Sequence, residues 1–157
     1  VYPIWNGGGT VKVVVIDSTW KSPSPELVEL VQTTLDPIPN QGEGVGLAPI
    51  GHTVTVEGVA GSTVHIATHL TLGEGYEWES VRQQAETVID GYFDELAKGW
   101  ADSELPLTVR ISQIEVRLLG IPGIIDVSGT AINGAETNLQ LGANEIPVRG
   151  TIDAATD

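Results

Sequence analysis

The chain has 157 residues, 41% of them apolar, with nineteen glycines and nine prolines, so it is long enough to bury a core and is built of many short elements joined by turns. Seven Lys and Arg against twenty-one Asp and Glu give a net charge of −14, which sets the protein against nucleic acid and anionic membrane surfaces. Cysteine is absent, which removes disulfides and thiolate chemistry, and no apolar run approaches the roughly 20 residues needed to span a bilayer.

Residues 11–17, Val-Lys-Val-Val-Val-Ile-Asp, are nearly continuous in β-branched side chains and predict a central strand buried on both faces. Ser24-Pro25-Glu26 reads as a helix N-cap, a proline at the first helical position and a first-turn acid. Leu27, Val28, Leu30, Val31 and Leu35 then form one apolar face, which Asp36-Pro37 terminates. Residues 37–51 carry Pro37, Pro39, Gly42, Gly44, Gly46, Pro49 and Gly51 and predict a loop. Alternation resumes at 52–56, with Val54 and Val56 on one side and Thr53, Thr55 and Glu57 on the other. Residues 58–62 read as a joint.

From 63 to 72, Val64, Ile66, Leu70 and Leu72 share a face opposite Thr63, His65, His69 and Thr71, the pattern of a half-exposed strand. A long helix is predicted over 77–98, with Trp78, Val81, Ala85, Val88, Ile89, Tyr92 and Leu96 facing the core. Gly91 in its middle is expected to mark a close packing contact, and Gly99 to stop the helix. Ser112-Gln113-Ile114-Glu115 has the form of a capping box, with Ile111 and Val116 at the staple positions and Gly120 to Gly123 ending the helix. A strand over 124–132 leads to an Asn133-Gly134 turn, strands follow at 138–141 and 146–152, and 153–157 is expected to fray. The fold class expected is α+β, in two small lobes, 1–60 and 61–152, each a mostly antiparallel sheet packed with one or two helices.

Residues that could carry chemistry are poorly placed for it. His65 and His69 would meet on a helix, but along a strand four residues separate them by about 13 Å, too far for one metal ion, and His52 has no ligand motif beside it. Glu26, Glu29, Asp90, Asp94 and Glu95 fall on the polar faces of helices, and Asp102 and Glu104 in a connecting loop; solvation explains them better than a catalytic pair. Gly7-Gly8-Gly9 precedes a strand, and the Gly42, Gly44, Gly46 series lacks the Lys and the helix of a phosphate loop. Ser18, Ser62 and Ser128 lack a nucleophile elbow. Neither metal nor organic cofactor is expected. Trp78 belongs to a core face, whereas Trp5, Trp20 and Trp100 lie outside regular elements, as internal packing or as interface anchors.

Several segments together resemble the baseplate J-like family of contractile phage tail proteins: residues 9–15, 24–28 running on to Leu35-Asp36-Pro37, 47–56 with Leu-Ala-Pro-Ile-Gly-His-Thr-Val-Thr-Val, Gly75-Tyr76-Glu77, 109–114 and 121–127. Their order and spacing over about 9–150 carry the likeness more than any one of them, and Glu77 departs from the Thr or Ser expected after Gly-Tyr. The resemblance implies a structural part in the baseplate wedge of a phage or prophage tail, no catalytic residues, other baseplate or tail proteins as partners, and a place in the virion after assembly in the bacterial cytoplasm. It also implies a longer parent protein, of which this chain is the C-terminal portion, in keeping with a sequence that has no Met even at position 1. Within a tail, the alternative is that an acidic, turn-rich module with tryptophans outside regular elements binds cell-surface carbohydrate, or degrades peptidoglycan as an enzyme; an aromatic platform would mark the first and a close, buried acid pair the second. The isolated chain is expected to be monomeric or weakly oligomeric.

Overall fold

The first sheet has the order β1-β2-β3, from β1 (Tyr2–Pro3), β2 (Thr10–Val15) and β3 (Thr53–Gly58), with the valine-rich strand in the middle as its composition implies. In the computed structural model, which describes residues 1–103 and 105–157, this sheet lies in a compact unit Val1–Ala60, and a second unit spans Gly61–Asp157. Helix α1 (Pro25–Leu35) connects β2 to β3. A strand-helix-strand passage returns the chain to the end where it began, so β2 and β3 run parallel, in register from Thr10 opposite Thr53 to Val15 opposite Gly58. That corrects the expectation of a mostly antiparallel first sheet, where only the two residues of β1 pair antiparallel. All of β2 is half-buried, not buried on both faces, because a unit with one helix has cover for one face only.

Helix α1 starts as its sequence predicts, the Ser24 hydroxyl accepting the Leu27 N–H at 3.3 Å. Leu30, however, is 63% exposed. At 100° per residue it lies at the margin of the face centred on Leu27, Val31 and Leu35, and the other margin is taken by Gln32, whose side chain bonds to β3.

The second unit contains β4 (Ala60–Leu72), α2 (Trp78–Gly99), a 3-10 turn (Trp100–Asp102), β5 (Thr108–Val109), α3 (Ile111–Leu119), β6 (Ile124–Ile132), β7 (Leu139–Gln140) and β8 (Glu145–Thr156). Its main sheet has the order β6-β4-β8, and β5 pairs β7 in a small ribbon. Strands β4 and β6 are antiparallel, from Leu72 opposite Ile124 to Ile66 opposite Ile132. On the other side, His65 lies beside Thr151 and the Leu70 carbonyl accepts the Asp157 N–H at 3.4 Å. Both positions rise together along the chain, so β8 runs parallel to β4. Helix α2 packs on β8 and α3 on β6. Val64, Ile66 and Leu70 of β4 are buried with Val81, Ala85, Ile89, Ile114 and Leu118 of the helices, while His65 and Ala67 on the other face of β4 are exposed.

Residues 153–156, expected to fray, instead extend β8, where pairing with β4 holds them. Helix α2 buries Phe93 and Ala97 besides the residues its spacing picks out, and leaves Trp78, Val88 and Leu96 half-buried. Gly91 makes no close contact: a β-carbon there would meet nothing within 4 Å. Nor does Gly99 end the helix by turning left-handed; with φ of −80° it passes directly into the 3-10 turn. The capping box at Ser112 does not form, because Ser112 already lies inside α3, whose N-cap is Arg110. Donors at that end are taken from afar: the Arg110 N–H donates to the Tyr92 hydroxyl and the Ile111 N–H to Asn138 Oδ1, each at 3.0 Å.

Candidate functional site

Asp17 builds the setting of one candidate anchor. Its Oδ1 accepts the Thr19 N–H and hydroxyl at 2.8 Å and the Lys21 N–H at 2.9 Å, while its backbone N–H donates to the Lys21 carbonyl. These bonds, led by the one from Lys21, hold the Asp17 carboxyl below its ordinary value of 3.8. The closed turn carries Trp20 at its tip with φ of 62° and leaves the indole exposed. Trp5, also exposed, lies between β1 and β2, its ring beneath the Lys12 ammonium at 4.3 Å. Lys12 is shared with Glu57 of β3 at 2.9 Å. Trp100 belongs to the second unit, where it is half-buried and its indole N–H donates to the Ala143 carbonyl at 3.1 Å.

The glycines and prolines of loop 37–51 predict a loop but say nothing of its large aliphatic residues. Ile38, Val45, Leu47 and Ile50 all stand exposed there, and Glu43 is the loop's one charged residue. Their signal was available: four large aliphatic residues in a segment with no strand or helix of its own to bury them. The loop is nonetheless tied down, the Leu47 and Ala48 N–H groups bonding to the Thr34 and Leu35 carbonyls of α1.

Several titratable groups are held by neighbouring polar side chains. His65 Nδ1 meets Thr151, and His69 Nε2 lies 2.9 Å from Asp157. Asp90 holds Arg149 through two oxygens at 2.7 and 3.1 Å, and Glu95 holds Arg117, whose guanidinium sits 4.4 Å above the Tyr92 ring. His52, Glu26, Glu29 and Asp102 are exposed, and Glu104 lies outside the described residues. Among the described residues no three His, Asp or Glu stand together as metal ligands. Asp36 is the one buried carboxylate among them, and both its oxygens already accept backbone N–H groups. An open depression of about 630 Å³ in the second unit brings Trp78, Arg82, His69 and Asp153 to one rim, with one indole and no buried acid. That arrangement has neither the paired carboxylates of a glycosidase nor an aromatic platform.

The family models now decide what this geometry belongs to. The baseplate J-like central domain matches residues 1–58, and the baseplate J-like protein C-terminal domain matches residues 64–155. The chain belongs to the baseplate J-like family. It is 35% identical over 152 residues to the phage-like element PBSX protein XkdT of Bacillus subtilis strain 168, covering 97% of this chain and 41% of that relative. It is 35% identical over 153 residues to the uncharacterized protein YqbT of the same strain, covering 98% of this chain and 42% of YqbT. The chain thus spans about two fifths of the length of these curated relatives. Both matched domains place it among the structural proteins of phage tail baseplates.

Proposed function

We propose that the chain is an architectural, non-catalytic part of the baseplate wedge of a contractile phage or prophage tail, assembled in the bacterial cytoplasm and retained in the finished tail. The observation that carries this reading is the coincidence of two family domains, 1–58 and 64–155, with two compact units, Val1–Ala60 and Gly61–Asp157. Each unit is taken as a separate lobe with its own core. Its partners are other baseplate or tail proteins, which cover Trp5, Trp20 and the apolar residues of loop 37–51. Trp100 has the weaker claim as an anchor, since its indole already serves internal packing. The charge of −14 argues against nucleic acid and anionic membranes as partners and for an isolated chain that is monomeric or weakly self-associating.

Gold-labelled antibody against this chain, applied to purified tails, tests the reading. Label confined to the baseplate end supports it; purified tails that lack the protein refute it. The non-catalytic part is tested by incubating the purified chain with peptidoglycan. Release of soluble fragments that is lost on replacing one acidic residue would overturn that part alone.

A further inference from the structure

Among the described residues, the backbone edges of the sheets are protected in every case but one. Strand β1 has two residues, one of them Pro3, and β5 and β7 have two each. Strand β6 carries an extra residue at each of its two register shifts against β4, with Gly129 at φ of 58°, and such bulges spoil an edge as a template. The outer edge of β3 is occupied by side chains: Asp36 accepts the Val54 N–H, Gln32 accepts the Val56 N–H, and the Gln32 and Gln41 amides donate to the Val54 carbonyl, all at 2.8 to 3.0 Å. Strand β8 has twelve residues and, among the described residues, pairs with β4 alone. Pro147 and Arg149 guard its first half; its second half, Thr151 to Thr156, contains no Pro, Lys or Arg.

The direction of the free groups follows from one backbone bond. The Asp157 N–H reaches the Leu70 carbonyl, and the Thr151 N–H lies against the His65 ring of the same strand, so the odd-numbered residues of this half are assigned the backbone direction toward β4. Alternation along the strand then turns those of Ile152, Ala154 and Thr156 outward, where no strand pairs. We infer that this outer edge of β8 receives an extended basic segment of a different polypeptide, which adds a fourth strand to the sheet. The backbone specifies an extended occupant, because only another strand matches donors and acceptors spaced in this way. Charge favours a basic one: the chain carries −14, and Thr151 to Thr156 holds Asp153 with no Lys or Arg, while Asp157 just beyond it is engaged by His69 at 2.9 Å. A second copy would set these acids against themselves.

The inference deepens the assembly reading and rests on it only for the origin of the segment, so its test uses the isolated chain and cannot be confused with a failure of tail assembly. Amide hydrogen exchange is followed with a synthetic nonapeptide in which valine alternates with lysine or threonine. Exchange at Ile152, Ala154 and Thr156 is expected to slow by about tenfold or more at saturation, with the β3 amides of Val54 and Val56 unchanged. The same peptide methylated on alternate backbone nitrogens, and one with glutamate for lysine, are expected to give no protection. Ala154→Pro removes an outward N–H and no bond to β4, so it is expected to keep the melting temperature and abolish the protection. Absence of protection by the basic peptide, equal protection by the methylated one, or protection that grows with chain concentration in the absence of peptide would each overturn the proposal.

Discussion

The carboxylate of Asp36 accepts the Val54 N–H at 2.8 Å, so the residue that ends α1 also closes the edge of β3. Its other oxygen accepts the Gly42 N–H at 2.9 Å, which pins the loop to the same point. Asp36→Ala leaves both donors unpaired, Val54's in the core, and is expected to cost about 2–4 kcal/mol by chemical denaturation. Gln32→Ala frees the Val56 N–H and is expected to cost somewhat less, because Gln41 still serves the Val54 carbonyl. Both variants bare a strand edge, so light scattering should show more aggregation than equally destabilised core variants.

Gly91 and Gly123 are expected to respond to alanine in opposite directions. A β-carbon at Gly91 enters open space on an exposed helical turn, so Gly91→Ala raises stability by up to about 1 kcal/mol. At Gly123, with φ of 97°, it would collide with the Tyr76 ring, and Gly123→Ala loses about 2 kcal/mol or more. Thermal denaturation of the two variants checks both signs.

The start of α3 separates a local cap from a distant one. Asn138→Ala removes the acceptor of the Ile111 N–H and is expected to cost about 1 kcal/mol. Ser112→Ala, at a position that makes no cap bond, is expected to change stability by less than about 0.5 kcal/mol. Equal losses in the two variants would mean that Ser112 caps the helix in solution.

Asp17 sets a pH dependence of known sign. Its carboxyl is held below 3.8 in the folded protein, chiefly by the Lys21 N–H and the Thr19 hydroxyl. Its contribution is therefore complete above 3.8 and is lost as the pH falls through the lower, folded-state value. Asp17→Ala is expected to be less stable than the parent at neutral pH, with the gap closing in acid. A gap independent of pH would show that the turn does not depend on the ionised carboxylate.

Local signals in the sequence were legible where the structure answers them locally. Ser24-Pro25 starts α1, and Asn133-Gly134, both at positive φ, turns the chain between paired Ile132 and Ala135. The α+β class follows from such elements taken together. The failures share one cause, a partner far away in the chain. Ser112 looked like a cap because the acceptor that serves α3 sits at Asn138, and 153–156 looked frayed because the strand that holds it is β4. Gly91 invited a packing role from its place in a helix, although which side of the helix meets the sheet depends on the tertiary fold. For the candidate site, the exposed tryptophans Trp5 and Trp20 could be picked out from sequence, but the exposure of Ile38, Val45, Leu47 and Ile50 depends on how loop 37–51 is tied to α1.

The position of β4 between β6 and β8 also imposes an order of events on synthesis. Contacts across the β4–β6 pair join residues 62 apart, such as Thr68 and Thr130, and those to β8 join residues 86 apart, such as His65 and Thr151. Closing loops of that length makes folding of the second unit slower than that of the first, whose parallel pair joins residues 43 apart, such as Thr10 and Thr53. As the polypeptide leaves the ribosome, β4 emerges first, one flank bare until β6 follows and the other until β8 follows, pairings that join residues 62 and 86 apart. The first unit can reach its native form during that interval, and the nascent second unit is the stretch most dependent on chaperones.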